Sequence, residues 1–328
     1  MNNSSPLNNE RPLVTFALFA YNQEQYIREA IEGAFSQTYE PLEIILSDDC
    51  SSDLTFEIMQ EMAAAYQGPH QVIVRQSDVN RGTFNHILDV AQQSHGEYIV
   101  VAAGDDISLP ERTSTVIPYF KDKNVLALSS DEIIINECGD IQNCDESRFA
   151  QRDNWYKNNN TWLHGGMAVY RTEFLKKLPY SVNKIYFEDA VFPILIGALG
   201  GRTVRLQLPL IKYRYHSANV SIGKLKTNNY EFNEIRFIDH CKSFLKAYSY
   251  CKEVIDNNSN IFFNGDQFFS KKSINIKYLK LISEWPNLNL YSKISLTIIA
   301  IRLGEVRTTL PRLFGKKIFF LLKKIQKG

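Results

Sequence analysis

Residues 13–22 read LVTFALFAYN and form the first segment of the chain with a clear structural pattern. The segment 13–20 is apolar and rich in β-branched and aromatic residues. It is too continuous for an amphipathic helix, so it predicts a buried strand. A helical pattern follows, with apolar residues on one face: Tyr26, Ile27, Ala30, Ile31, Ala34 and Phe35. The sequence therefore predicts a strand that leads through Tyr21 and Asn22 into a helix.

The same alternation continues as far as Asp106. Further strands are predicted at residues 42–46, 70–75 and 97–102, and further helices at 54–66 and 83–92. Alternating strands and helices predict the α/β class, with a parallel sheet covered by helices on its faces. Ligands of such sheets bind beside the carboxyl ends of the strands. The polar clusters of this sequence follow those ends: Tyr21-Asn22, Asp48-Asp49 and Asp105-Asp106.

Asp105 and Asp106 directly follow a predicted strand. Paired carboxylates at a strand end suit a hard divalent cation, Mg²⁺ or Mn²⁺, bound together with diphosphate oxygens and water. Such a cation would neutralise negative charge on a diphosphate. The alternative is structural, with Gly104 to Asp106 forming a turn and Asp106 capping the next helix.

The acidic run at residues 48–53 reads DDCSSD and has the same two interpretations. A carboxylate here suits hydrogen bonds from a nucleobase imide or a ribose hydroxyl. In the structural interpretation, the run is a turn in which Ser52 or Asp53 caps a helix.

Three blocks of the sequence resemble a known family. They are the strand 14–20 with YN at 21–22 and QTYEPLEII at 37–45, then DDxSxDxT at 48–55, and then NxG at 80–82 with GEYI at 96–99 and GDD at 104–106. In this order and spacing they resemble the signature of family 2 glycosyltransferases, over residues 13–221. The resemblance implies a GT-A-type αβα sandwich with a mostly parallel central sheet, a nucleoside-diphosphate sugar donor and an inverting mechanism.

The resemblance also implies roles for individual residues. Tyr21 and Asp49 match the positions that frame the nucleobase. Asp105 and Asp106 match the metal motif, with Asp106 as the direct ligand of Mn²⁺ or Mg²⁺ and Asp105 as a ribose or outer-sphere partner. Two positions depart from the family pattern, because the first strand ends in FAYN at 19–22 and the metal motif is GDD without a leading acid.

The pair Glu188-Asp189 matches the family's catalytic base. Asp189 would take the proton of an acceptor hydroxyl as its oxygen attacks the anomeric carbon, and Glu188 would contact the acceptor. A carboxylate at the N-terminus of a helix stays ionised readily. The alternative is a favourable helix-terminal charge with no further role.

The same resemblance implies Trp162, His164, Gly165 and Gly166 for the acceptor-facing loop and His216 for the metal or the diphosphate, with Arg214 beside it as a candidate for phosphate. Asn22, Arg81 and Asn85 are further candidates for contact with the donor. Asn219 shares the likeness around His216. The structural alternatives are solvated surface residues at 81 and 85, a turn beside a core tryptophan, and a structural histidine.

The chain is expected to have a flexible N-terminus at 1–12, a catalytic domain at 13–225 and a mainly helical, basic region at 226–328. From Lys293 to residue 328 there are nine Lys and Arg against a single acid, Glu305. The tail mixes these cations with Leu313, Phe314, Ile318, Phe319, Leu321 and Leu322. It therefore suits contact with an anionic membrane surface, or else packing on the catalytic domain.

The composition of the chain argues against several classes of protein. A net charge of +1 argues against a nucleic-acid partner. Five cysteines without a CxxC motif argue against a disulfide framework or structural zinc and favour a reducing compartment. A polar N-terminus and the absence of a long apolar run predict neither a signal peptide nor a spanning helix. A cytoplasmic enzyme, or one peripheral on the inner face of the membrane, is expected.

The leading hypothesis is transfer of a sugar, with a UDP-sugar as first candidate donor, onto a saccharide or polyprenyl-linked acceptor in surface polysaccharide biosynthesis. One alternative is a catalytically silent module that binds nucleotide sugars. Another is a nucleotidyltransferase, which needs a glycine-rich phosphate loop and a basic residue after the first strand. Residues 21–25, YNQEQ, contain neither.

Overall fold

The computed structural model describes residues 11–142, 163–216, 219, 230–262, 264–305, 309 and 312–313. Internal contacts divide the chain into two compact units. The first comprises Met1–Lys184 with Gly201–Arg214, and the second comprises Ile185–Gly200 with Tyr215–Gly328. The domain boundaries expected from the sequence stay a prediction.

The first unit is built on one mixed sheet, which has eight strands within the described residues. They are β1 Val14–Ala20, β2 Leu42–Asp48, β3 Gln71–Gln76, β4 Tyr98–Ala103, β5 Ile107–Ser108, β6 Val125–Ile135, β7 Ala168–Arg171 and β8 Arg202–Arg214. Their order across the sheet is β3-β2-β1-β4-β7-β6-β8-β5. The first four in this order are parallel, as are β6 and β8, while β7 is antiparallel to β4 and β6 and β5 is antiparallel to β8. The predicted α/β class is confirmed.

Helices cover both faces of the parallel half of this sheet. Within its described residues, the helices of the first unit are α1 Ile27–Phe35, α2 Thr55–Ala65, α3 Thr83–Gln93, α4 Arg112–Val116 and α5 Thr172–Lys176. On one face, Phe16 of β1 shares a core with Ile31 of α1 and Met59 of α2. On the other face, Phe19 of β1 packs edge-on against His86 of α3, with ring centroids 4.9 Å apart. The strand is therefore buried from both sides, as its continuous apolar sequence predicts.

Helix α4 is short. The α-helix α4 ends at Val116, and the chain continues as a 3₁₀ helix over Ile117–Lys121. Pro118 lies in that segment. Because proline has no N–H to donate to the carbonyl four residues earlier, it interrupts the α-helical hydrogen-bond pattern.

The strand registers bring the polar clusters to one edge. Ala20 of β1 pairs with Asp48 of β2, and Phe19 of β1 pairs with Ala103 of β4. These strands are parallel and end at the same level. The residues that follow them, at 21–22, 49–53 and 104–106, therefore lie along the carboxyl edge where ligands of open α/β sheets bind.

The second unit is helical. In the part of this unit that the structure describes, the helices are α6 Glu188–Ala198, α7 Tyr230–Asn257, α8 Gly265–Ser283 and α9 Leu290–Leu303, with a 3₁₀ turn at Trp285–Asn287. A core of Cys241, Tyr278, Ile282, Leu296 and Ile299 joins the last three helices. The C-terminal helices expected from the sequence are therefore present.

The basic tail lies mostly outside the described residues. Leu313 is described, and it packs against the core of the second unit. Its side chain is partly buried there, and contact of the tail with a bilayer stays a prediction. The other apolar tail residues named above lie outside the described residues. Within the described chain, no helix combines the length and hydropathy needed to cross a membrane.

We expect Glu43→Ala to destabilise the first unit strongly. Glu43 is buried, and its carboxylate accepts hydrogen bonds from Thr15 Oγ1 at 2.5 Å and from the His95 and Gly96 N–H groups at 2.6 and 3.2 Å. Burial would raise the pKa of Glu43, but these hydrogen bonds outweigh it and lower the pKa. Alanine leaves buried donors without a partner, which costs roughly 3 kcal/mol of unfolding free energy.

Urea denaturation measures this loss. The control is Glu61→Ala, which removes an exposed ion pair with Arg28 and should change little. Equal midpoints for wild type and Glu43→Ala would show that this network does not tie β1 and β2 to the loop before β4.

Candidate active site

The loops after β1 and β2 interlock. The Asn22 N–H donates to Ser51 Oγ at 2.8 Å, and Asn22 Oδ1 accepts from the Ser52 N–H at 2.8 Å. Asn22 adopts a φ of 52°, a left-handed conformation that asparagine tolerates better than most residues. The amide oxygen of Asn22 thus joins the two loops. The ring of Tyr21 remains half exposed at their surface and is available to a ligand.

The buried carboxylate of Asp49 holds the loop before α3. Oδ1 accepts from the Arg81 N–H at 2.8 Å, and Oδ2 accepts from the Gly82 N–H at 2.9 Å. Gly82 has a φ of 75°, which favours glycine. Burial raises the pKa of Asp49, and the two N–H donors oppose this shift. Each oxygen has a further lone pair to offer a ligand.

The side chains of Arg81 and Asn85 are engaged within the protein. Arg81 pairs with Asp89, with Nε 3.0 Å from Oδ2, and its guanidinium lies 5.3 Å from the ring centroid of Tyr180. The Asn85 amide bonds reciprocally to the backbone of Ser181, at 2.8 and 2.9 Å. Asn85 therefore has a clear structural role. Donor contact by Arg81 stays a prediction, since its side chain is partly exposed.

Asp106 is buried beside the half-buried Asp105 at the end of β4. Its Oδ1 accepts the Arg214 N–H at 2.9 Å. Its Oδ2 accepts no hydrogen bond from the part of the chain that the structure describes. Burial and the neighbouring charge of Asp105 raise the pKa of Asp106 well above its ordinary value, although the Arg214 N–H and the charges of Arg112 and Arg214 oppose the shift.

Arg214 fixes the backbone around this pair. Its guanidinium is fully buried and donates to the Asp105 carbonyl at 3.0 Å, the Glu137 carbonyl at 2.9 Å and Glu29 Oε2 at 3.0 Å. The guanidinium also lies 4.9 Å from the ring centroid of Tyr26. The expected phosphate contact of Arg214 is wrong, because its charge is enclosed by protein groups.

The residues around Asp106 fit a hard divalent cation. An added Cβ at Gly166 would lie 3.7 Å from Asp106 Oδ2, an ordinary van der Waals contact, so the glycine leaves room for a small group beside this oxygen. A buried carboxylate whose ionisation is disfavoured gains from a neighbouring cation. Among the described residues, no group of three or more His, Cys, Asp or Glu side chains forms a complete metal site. A cation at Asp105-Asp106 would therefore need oxygen ligands from a bound molecule and from water.

The loop before β7 lies next to the same carboxylate. Gly165–Met167 forms a 3₁₀ turn, and Gly166 adjoins Asp106 as described above. His164 packs edge-on against Tyr213 of β8, with ring centroids 5.6 Å apart. Trp162 lies outside the described residues. The structure thus brings part of the predicted acceptor-facing loop to the predicted metal motif, while acceptor contact by His164, Gly165 and Gly166 stays a prediction.

Glu188 and Asp189 form the first turn of α6 in the second unit. Glu188 is buried, and desolvation, with the neighbouring Asp189 charge, raises its pKa to about 8. Asp189 keeps a solvent-exposed surface. Desolvation by the surrounding protein still raises its pKa to about 6, against the N–H groups of Ala190 and Asp189 that favour the charged form. The pKa values of both carboxyls are therefore raised, and that of the buried Glu188 is raised further.

His216 is held by a local turn of the second unit. The His216 N–H donates to Asn219 Oδ1 at 2.6 Å, and the Asn219 N–H donates to the His216 carbonyl at 3.3 Å. Asn219 is buried. The likeness of these two positions to the family therefore has a structural basis, and a metal or diphosphate role for His216 stays a prediction.

Sequence reasoning missed two charged residues near the metal motif. Arg112 is buried and donates to the Val101 carbonyl at 2.7 Å and to Ser108 Oγ at 2.9 Å, and burial lowers its pKa to about 9. Glu29 pairs with Arg214, 185 residues away in sequence. Arg112 lies on α4 and Glu29 on α1. Charged residues on such helices usually form a solvated surface, so no local signal in the sequence marks these two.

Solved structures share this fold. The mannosyltransferase PcManGT from Pyrobaculum calidifontis, in complex with GDP-Man and Mn²⁺, superposes with a TM-score of 0.55 over 93% of this chain and 86% of its own, at 15% identity. S. aureus TarS 1-349, in complex with UDP-GlcNAc, superposes with a TM-score of 0.52 over 92% and 90%, at 15% identity. The fold is that of the GT-A glycosyltransferases.

The family follows from the sequence. The model of glycosyl transferase family 2 matches residues 15–179, half of the chain, so this protein belongs to that family and is a glycosyltransferase. An uncharacterized glycosyltransferase of Haemophilus influenzae is 29% identical over 68% of this chain and 70% of its own length. The putative glycosyltransferase EpsE of Bacillus subtilis is 32% identical over 40% and 47%. The putative teichuronic acid biosynthesis glycosyltransferase TuaG of the same organism is 29% identical over 30% and 38%.

Proposed function

We propose that this protein is an inverting glycosyltransferase. It takes a sugar from a nucleoside-diphosphate donor and transfers it to a saccharide or lipid-linked saccharide in polysaccharide biosynthesis. The observation that carries the proposal is the carboxyl edge of the sheet. There, three adjacent parallel strands are followed by an exposed aromatic ring, by a carboxylate that fixes a loop, and by a carboxylate pair of which Asp106 is buried.

The donor site is built on the ends of β1 and β2. The ring of Tyr21 offers a face on which a nucleobase stacks, and Asp49 offers acceptor lone pairs to the base or the ribose. Asn22 and Arg81 are the flanking contacts. The neighbours PcManGT and TarS bind GDP-Man and UDP-GlcNAc, which supports a nucleotide-sugar donor here. A UDP-sugar is the first candidate.

The diphosphate of the donor is proposed to bind beside Asp105 and Asp106. Asp106 is the proposed direct ligand of Mn²⁺ or Mg²⁺, Asp105 is an outer-sphere or ribose partner, and His216 is a further candidate ligand. The cation, when bound, neutralises the charge that develops on the leaving diphosphate. The bound Mn²⁺ of PcManGT supports this choice of ion. The Arg214 N–H holds the Asp106 carboxylate, and the nearby buried charge of Arg112 favours its ionised form.

Asp189 is the proposed general base. It removes the proton from the acceptor hydroxyl as that oxygen attacks the anomeric carbon from the face opposite the diphosphate, which inverts the configuration. A pKa of about 6 leaves Asp189 mainly ionised at neutral pH yet basic enough to accept a proton. Glu188, Gly165, Gly166, His164 and Trp162 are proposed to contact the acceptor.

The biological setting is inferred from relatives. TuaG of Bacillus subtilis is described as a putative teichuronic acid biosynthesis glycosyltransferase. We infer a comparable role in assembling a surface polysaccharide for this protein. A polyprenyl-linked acceptor and a site at the inner face of the membrane would suit that role.

Product analysis tests the proposal. The purified protein is incubated with a panel of UDP-, dTDP- and GDP-sugars, Mn²⁺ and saccharide or polyprenyl-linked acceptors. Nucleotide release is measured, and the H-1 coupling constant of the product is read by NMR. We expect one donor to be consumed and the transferred sugar to have the anomeric configuration opposite to that in the donor. Retention of configuration would contradict the mechanism, and nucleotide binding without transfer to any acceptor would favour a silent binding module.

The pH dependence of kcat/KM should show an acidic limb near pH 6. Asp189 must be ionised to accept a proton, so activity is present above its folded-state pKa of about 6 and is lost as pH falls through that value. The limb should stay near 6 in Glu188→Gln, because desolvation is the main cause of the shift of Asp189. A wild-type profile flat from pH 5 to 8 would contradict this assignment.

A further inference from the structure

Helix α9 of the second unit is apolar on two sides. Its inner side places Leu296, Ile299 and Ala300 in the core of the unit. Its outer side carries large apolar residues that are 48 to 81% exposed: Leu290, Tyr291, Ile294, Ile298 and Ile301. We call these five residues the α9 stripe. An amphipathic surface helix of a globular domain normally carries polar residues there, so the stripe needs an explanation beyond the fold of this unit.

The stripe is continuous along the helix. At 100° per residue its five members fall within an arc of about 100° and extend over the length of α9. Contiguous exposed apolar surface of this kind marks an interaction site more often than scattered single residues do. The inner core contacts fix the rotation of α9 about its axis, so the stripe is presented outward as a rigid surface.

Charge indicates the kind of partner. Helix α9 contains no Asp or Glu, and its two charged residues are Lys293 and Arg302. On the helical projection they flank the stripe on opposite sides. The sequence from Lys293 to residue 328 continues the same bias, with nine cations against one acid. An apolar face with cationic flanks complements a surface that has an apolar interior and anionic groups where it meets water.

We propose that the α9 stripe docks this protein on an anionic lipid bilayer. The helix lies in the plane of the interface, with its isoleucines at the acyl boundary and Lys293 and Arg302 at the anionic headgroups. A second copy of the chain fits less well, because a two-fold pairing of stripes would bring like charges together. The inference rests on the proposed function in one respect, since a lipid-linked acceptor would be met at such a surface.

Vesicle co-sedimentation tests the docking surface. The full chain is mixed with vesicles of phosphatidylcholine alone or of phosphatidylcholine with phosphatidylglycerol. We expect binding to the anionic vesicles that weakens with salt. The triple variant Ile294→Ser, Ile298→Ser and Ile301→Ser should bind about tenfold or more weakly, because it removes apolar side chains from the interface. The matched control is Ile235→Ser, an isoleucine of α7 that is 61% exposed.

Three results would overturn the docking proposal. The first is a wild type that shows no binding to anionic vesicles, and the second is a triple variant that binds them as tightly as the wild type. The third result is a wild type that forms a dimer and a triple variant that is monomeric. If the triple variant misfolds by circular dichroism, Lys293→Gln with Arg302→Gln replaces it and should lose anionic selectivity. Nucleotide binding is measured on every variant. If the wild-type protein does not bind nucleotide, the proposed function is contradicted. The docking proposal is still tested in that case, because vesicle binding is measured separately.

Discussion

Asp189→Asn is expected to lower the rate of sugar transfer by about three orders of magnitude and to leave donor affinity unchanged. Asparagine has nearly the same shape as aspartate and suits the first turn of α6, so the helix should be retained. The amide cannot accept the proton of the acceptor hydroxyl. The kcat is measured at saturating donor and acceptor, and the nucleotide Kd is measured by calorimetry.

Glu188→Gln is the matched control for this substitution. With a pKa of about 8, Glu188 is mainly protonated at pH 7, so glutamine replaces one neutral group by another. Transfer should therefore change far less than in Asp189→Asn. Asp189→Asn within about tenfold of wild type would remove Asp189 from the base role, whose removal costs at least about a hundredfold. A larger loss in Glu188→Gln than in Asp189→Asn would assign the base to Glu188 instead.

Asp106→Asn should weaken metal-dependent nucleotide binding by roughly a hundredfold or more, because it removes the proposed anionic metal ligand. The fold should tolerate the change. Asparagine Oδ1 can still accept the Arg214 N–H, and burial already disfavours the charged form of Asp106. Free Mn²⁺ is followed by electron paramagnetic resonance as nucleotide is added, which reports metal capture without any need for turnover.

Two further variants serve as a comparison and a control for Asp106→Asn. Asp105→Asn should have a smaller effect, since Asp105 is proposed as an outer-sphere or ribose partner. Asp122→Asn removes an exposed carboxylate paired with Arg202 and should leave metal capture unchanged. Unaltered capture of Mn²⁺ by folded Asp106→Asn would place the metal elsewhere in the protein.

The parallel half of the fold could be predicted because its signals are local. The apolar strand 13–20 and the strands that follow it each have a length and period that few alternatives fit. The parallel arrangement then follows from the helical connections between them. The parallel arrangement alone predicts that Tyr21, Asp49 and Asp106 lie along one edge of the sheet, because neighbouring parallel strands have their carboxyl ends at the same edge.

The remainder depends on contacts between distant segments. β8 pairs with both β6 and β5, and only this pairing brings the Arg214 N–H to Asp106. No pattern around Arg214 distinguishes a buried clamp from a phosphate ligand. The reciprocal bonds between Asn85 and Ser181 arise in the same way. Local periodicity carries no information on pairings of this kind, and so the second layer of the site appears only in the structure.

The most direct test of the donor and metal site is calorimetric titration of the wild-type protein with UDP, dTDP and GDP, each with and without Mn²⁺. We predict that one of these nucleotides binds and that its binding depends on the metal. Binding with equal affinity in the presence and absence of Mn²⁺ would contradict the role given to Asp105 and Asp106. Failure of folded protein to bind any of the three would contradict the donor site itself.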